Sequence, residues 1–78
     1  MSKKTAKLHR ESLQTEVDAA YLYHQIAAAE DDAAIAELFR GLASIENDHA
    51  THMLEHLRAT ENPALELPGP SGRARTLN

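Results

Sequence analysis

The sequence predicts an all-α fold, a two-helix antiparallel hairpin that dimerises into a four-helix bundle. Three observations predict it. Apolar residues recur at helical spacing, and nothing alternates with period two. No Pro or Gly interrupts residues 5 to 40, where the helix formers Ala, Leu, Glu and Gln are abundant. The chain has 78 residues, enough for one small domain that buries only a modest share of its surface by itself. Two helices alone leave a wide apolar face open, and a second copy of the chain covers it in the expected bundle.

Helix 1 is expected over about residues 5–29. The break falls in "AAAEDDAAIAE", where Asp31 or Asp32 can cap a new helix and complement its positive N-terminal dipole. Helix 2 is expected over about residues 32–60, and Asn62-Pro63 ends it, because the residue before a proline disfavours helical backbone. Residues 1–60 thus form the hairpin. The remainder, "ENPALELPGPSGRARTLN", holds all three prolines and two of the three glycines and reads as a flexible C-terminal tail over 61–78. A solvated terminus and a docking peptide for a larger assembly are the two readings of it.

Composition removes several functions. With no Cys, there is no disulfide, thiolate metal site or cysteine nucleophile. A net charge of −4, twelve acids against eight bases, argues against nucleic acid as a partner. No apolar run approaches the roughly 20 residues of a membrane span, and the basic start "MSKKTAKLHRES" lacks the apolar core of a secretory signal. A soluble cytoplasmic protein is expected.

At about 100° per residue, each helix divides into faces. In helix 1, Glu11, Gln14, Thr15, Asp18 and Gln25 form the polar face, opposite Leu13, Val17, Ala20 and Ala27. Glu16 lies within the apolar sector, and Tyr23 follows two turns later on almost the same line. In helix 2, Glu37, Arg40, Asn47, Asp48, Thr51, Glu55 and Arg58 face away from Ile35, Leu38, Phe39, Leu42, Ile45, Met53 and Leu57. Glu46 and His49 fall in the middle of that apolar face. An unpaired buried charge is costly, so these groups need a partner. An acid three residues before a histidine puts both on one face about a turn apart, where they can converge on one metal ion. The motif E-x-x-H alone recurs by chance and equally suits a hydrogen-bonded pair at a helix seam. A second core-facing acid, Glu16, on the other helix favours the metal, since carboxylates crowded without one resist ionisation.

Glu16, Glu46 and His49 are therefore the expected ligands and catalytic residues. Tyr23 either packs in the core or bonds a ligand carboxylate from outside the ligand set. His52 and His56 are read as interface or surface residues, with a second metal site as the other reading. His9 and His24 are not read as ligands.

These residues resemble the ferritin-like superfamily of di-iron carboxylate proteins, whose bundles use one Glu from each of two helices and Glu-x-x-His from each of the other two. This chain supplies half the set on half a bundle, and two chains complete it. Within the superfamily it looks most like the encapsulated-ferritin family of two-helix hairpins, over roughly residues 8–58. The shared pattern is Glu16, Glu46 thirty residues on, His49, and Tyr23 seven residues after Glu16. The resemblance implies a ferritin-like bundle and a ferroxidase that oxidises Fe²⁺ at a di-iron centre shared between two subunits, for iron storage or detoxification. It also implies a homodimer, a decameric ring of five dimers, and an encapsulin nanocompartment shell as partner and location. Two features depart from the family. Thr15 and Asp18 stand where it carries further acids beside the first ligand, and the tail lacks the Gly-Ser-Leu core of its docking tags. Two other functions fit the same residues: a non-catalytic clamp holding Zn²⁺, Mn²⁺ or Ca²⁺, and a plain helical dimer without metal.

Overall fold

Ser2 starts the first helix. Its hydroxyl accepts the Thr5 backbone N–H at 3.1 Å, satisfying one of the donors that a helix leaves unpaired at its start. This cap places the beginning of α1 (Lys3–Ala29) two residues earlier than the composition alone suggests. The structure is a computed structural model and describes residues 2–76. Glu30, Asp31 and Asp32 make the turn. Asp32 is the cap of α2 (Ala33–Thr60), accepting the backbone N–H groups of Ala34 at 2.9 Å and Ile35 at 3.1 Å. Glu30 braces the turn from behind, accepting the Asp32 N–H at 3.0 Å. The helix ends where Glu61 and Asn62 both donate to the Leu57 carbonyl, just before Pro63. The described residues contain no strand, and none of their helices is long and apolar enough to cross a membrane.

The two helices pack along a seam that repeats every seven residues. On α1 the buried positions are Ala6, Leu13, Ala20 and Ala27, with Val17 beside them. On α2 they are Ala36, Ala43, Ala50 and Leu57, with Leu54. A seven-residue repeat keeps one stripe of each helix facing the other as the pair winds together. The seam is uneven along its length. Near the turn it consists of alanines, whose small side chains let the helices approach closely. Near the open end, Leu13, Val17, Ala50, Leu54 and Leu57 form the main apolar cluster, joined by Met53 and Leu65. An ion pair between Arg10 and Glu61 ties the two helices at that end.

The segment expected as a flexible tail runs back along α1 and carries a third helix, α3 (Gly72–Thr76). Residues 77 and 78 of that tail lie outside the described residues. Leu65 joins the core cluster, and its carbonyl accepts Arg58 Nε at 2.6 Å. Gln14 donates to the Gly69 carbonyl at 3.0 Å. Asp18 accepts the Ser71 hydroxyl at 2.6 Å and the Ser71 backbone N–H at 2.8 Å. Ser71 Oγ in turn accepts the Ala74 N–H at 3.1 Å, which caps α3, and Ala74 is buried. Prolines and glycines deny this stretch a regular repeat of its own. Polar groups on α1 supply the order it lacks.

The hairpin leaves one side apolar and bare. Leu8 and Ile26 on α1, and Ile35, Leu38 and Ile45 on α2, are all large and exposed. Leu38, Leu42 and Ile45 border a shallow hollow of about 440 Å³ over Gly41.

Candidate metal centre

The seam has a second pair of seven-residue lines, shifted toward the bare apolar side. His9, Glu16 and Tyr23 follow one another on α1, and Phe39, Glu46 and Met53 on α2. Because the helices are antiparallel, Glu16 comes level with Glu46, and Tyr23 with Phe39. The rings of Tyr23 and Phe39 lie 6.0 Å apart, tilted by 35°. The contact found for Tyr23 is therefore packing against a ring.

Glu16, Glu46 and His49 each turn one ligand atom toward a common point, and these atoms lie within 4.8 Å of one another. His49 Nδ1 is 3.6 Å from Glu16 Oε2 and 3.9 Å from Glu46 Oε1. Both distances exceed a good hydrogen bond. Ligand atoms about 2.1 Å from one tetrahedral metal sit roughly 3.4 Å apart, so small side-chain rotations would bring the three groups onto one cation. The two carboxyl groups are mostly covered, at 24% and 23% exposure, whereas His49 is 53% exposed on the bare side.

Electrostatics points the same way. Glu16 Oε2 is buried with no hydrogen-bond donor. Two carboxylates cannot bond each other unless one holds a proton. The hydrogen bond that a proton makes with Glu16 is the first cause holding the Glu46 pKa above its ordinary value. Partial burial and the Glu16 charge add to the rise, and the nearby His49 works against it. A cation would relieve all three causes and give Glu16 Oε2 a partner. The carboxylate and imidazole donors suit Fe, Mn or Zn.

The neighbours take no part in this cluster. Thr15 donates to the Glu11 carbonyl at 3.0 Å on its own helix. Asp18 is engaged by Ser71 and Gln14. Burial pushes its pKa up, and the hydrogen bonds from the Ser71 hydroxyl, the Ser71 N–H and the Gln14 amide outweigh this and hold it below its ordinary value. His24 and His52 are exposed. His9, set aside in the sequence, meets His56 across the seam with ring centroids 5.6 Å apart. The signal for that contact is register: His9 precedes Glu16 by seven residues and His56 follows His49 by seven.

No protein-family model, curated protein or solved structure matches this chain.

Proposed function

We propose that the protein is a ferroxidase that oxidises Fe²⁺ to Fe³⁺ where Glu16, Glu46 and His49 of two copies come together. The observation that carries this reading is the convergence of two carboxylates and an imidazole beside a carboxylate oxygen buried without a donor. The resemblance to encapsulated ferritins selects iron among the metals this donor set suits. One chain supplies three ligands, and His49, half exposed, follows the exposed Leu38 and Ile45 on the same face of α2. A second copy laid on that face brings the complement to four carboxylates and two imidazoles. Two Fe²⁺ ions then bring four positive charges to four negative ones, which removes the repulsion that raises the Glu46 pKa.

In this reading the carboxylates bind and orient the iron, and His49 completes the set with a neutral nitrogen. Each pair of Fe²⁺ ions gives up two electrons. Dioxygen takes them with two protons and leaves as hydrogen peroxide, or peroxide takes them with two protons and leaves as two waters. A two-helix hairpin encloses no mineral cavity, so Fe³⁺ is released for storage elsewhere, and an encapsulin shell is the partner the resemblance supplies. The ring of five dimers belongs to the same proposal.

The test is anaerobic Fe²⁺ titration of the purified chain followed by air. Binding near two Fe²⁺ per two chains, and oxygen uptake with growth of Fe³⁺ absorbance, are expected. His49→Ala is expected to slow oxidation at least tenfold with helix content unchanged, because the fold rests on the Ala and Leu seam. Metal bound without oxygen uptake replaces this reading with the non-catalytic clamp.

A further inference from the structure

The Glu16–His49 pairing is repeated one heptad away, with a different chemistry. Moving back seven residues on α1 and forward seven on α2 leads from Glu16 and His49 to His9 and His56. Antiparallel helices in a seven-residue repeat keep such positions level, about 10 Å along the axis from the first pair. The two imidazoles do meet there, with centroids 5.6 Å apart and planes at 67°. His9 Nδ1 is buried without a hydrogen-bond partner. A polar atom left so in a seam is costly, and something that accepts its lone pair would offset that cost.

The separation of the rings fits a shared cation. With metal–nitrogen bonds of about 2.1 Å, each ring centre lies about 3 Å from the ion, and two rings at a tetrahedral angle have centres about 5 Å apart. A third imidazole is at hand. His52 stands one turn before His56, and histidines four residues apart on a helix present both rings on one face, as in helical zinc sites. His52 is exposed and stands apart from the pair, so its ring has to rotate on the surface to reach the ion.

We propose that His9 and His56, with His52 as third ligand, form a second metal site that binds imidazole-preferring ions such as Zn²⁺, Cu²⁺ or Ni²⁺. The site has no carboxylate oxygen among its ligands and so disfavours Ca²⁺ and Mg²⁺. It joins α1 to α2 at the open end of the hairpin, and metal bound there stabilises the folded chain by mass action. None of its ligands belongs to the Glu16 centre, and it stands independently of the ferroxidase reading.

The experiment uses the full chain carrying Glu46→Ala and His49→Ala, which disables the first centre, with ZnCl₂ as titrant in calorimetry near pH 7.5. One Zn²⁺ per chain is expected. Adding His56→Asn or His9→Ala to that chain is expected to weaken Zn²⁺ binding at least tenfold. CuCl₂ added to the parent chain is expected to show two or more coordinated imidazole nitrogens by electron paramagnetic resonance, falling by one in His56→Asn. Because His56 is exposed, its replacement leaves the core intact, which circular dichroism checks. Absence of Zn²⁺ binding in the parent chain, or a loss below tenfold in His56→Asn, overturns the proposal.

Discussion

Glu16 and Glu46 are acids that the fold holds closer together than water would. Their interaction has a sign that can be followed in the metal-free protein. The Glu46 pKa is raised in the folded chain, so the stability linked to it is fully present below the ordinary glutamate value and is lost as pH rises through the folded value. Glu16→Gln removes the neighbouring charge and offers Glu46 an amide donor. In chelator at pH 7 this variant is expected to melt about 5 °C above wild type, the shift that ~1 kcal/mol gives a domain of this size. Near pH 4, below the ordinary glutamate value of about 4.3, the difference should shrink. Thermal unfolding at the two pH values measures this, and an equal difference at both would separate Glu16 from Glu46. The same variant is expected to lose iron oxidation, because a neutral amide is a poor ligand for a charged ion.

Among the elements, α3 is held by contacts far apart in sequence. Ser71 donates to Asp18 and accepts from Ala74, so one hydroxyl both docks the tail and caps its helix. Ser71→Ala removes both bonds, a loss of about 1–2 kcal/mol. Trypsin cleavage after Arg73 and Arg75 is expected to quicken roughly tenfold, since 1.4 kcal/mol is a tenfold change in the open population. Asp18 carries the opposite sign to Glu46. Its folded pKa is depressed, so its contribution is present above the ordinary aspartate value and is lost as pH falls through the lower folded value. The Ser71 amide resonance should report this release with a midpoint below the ordinary aspartate value. The tail also marks what a sequence conveys. Both long helices were legible because period, propensity and the Asp32 cap are local. Glu16, Glu46 and His49 were legible because helical angles place each on its face without knowledge of the other helix. The docking of Ser71 on Asp18 spans 53 residues and has no local trace. The contact of His9 with His56 needed the register between two helices, which no single helical face contains.

The described residues form a rod, 45 Å long and 22 by 18 Å across, with large apolar side chains exposed along one side. Leu38 is 62% exposed there, so a charge at that position costs the single chain little. Leu38→Glu is expected to weaken self-association at least tenfold by sedimentation and to lower iron oxidation with it, while helix content stays. Association at wild-type strength would place the second copy elsewhere. The uneven seam has a consequence for motion. Alanine rungs near the turn bury little apolar area, while Ile26 and Ile35 beside them stay 43% and 42% exposed. The leucine cluster lies at the other end, between residues far apart along the chain. The covalently joined end of the hairpin is thus its looser end, and the opposite end, where the leucine cluster lies, is its anchor. In dilute protein, backbone amides around Ala27 and Ala36 should exchange with deuterium faster than those around Leu13 and Leu57. Were a second copy to cover this side as proposed, protection would rise near the turn and change little at the leucines, so that assembly would freeze a breathing hinge.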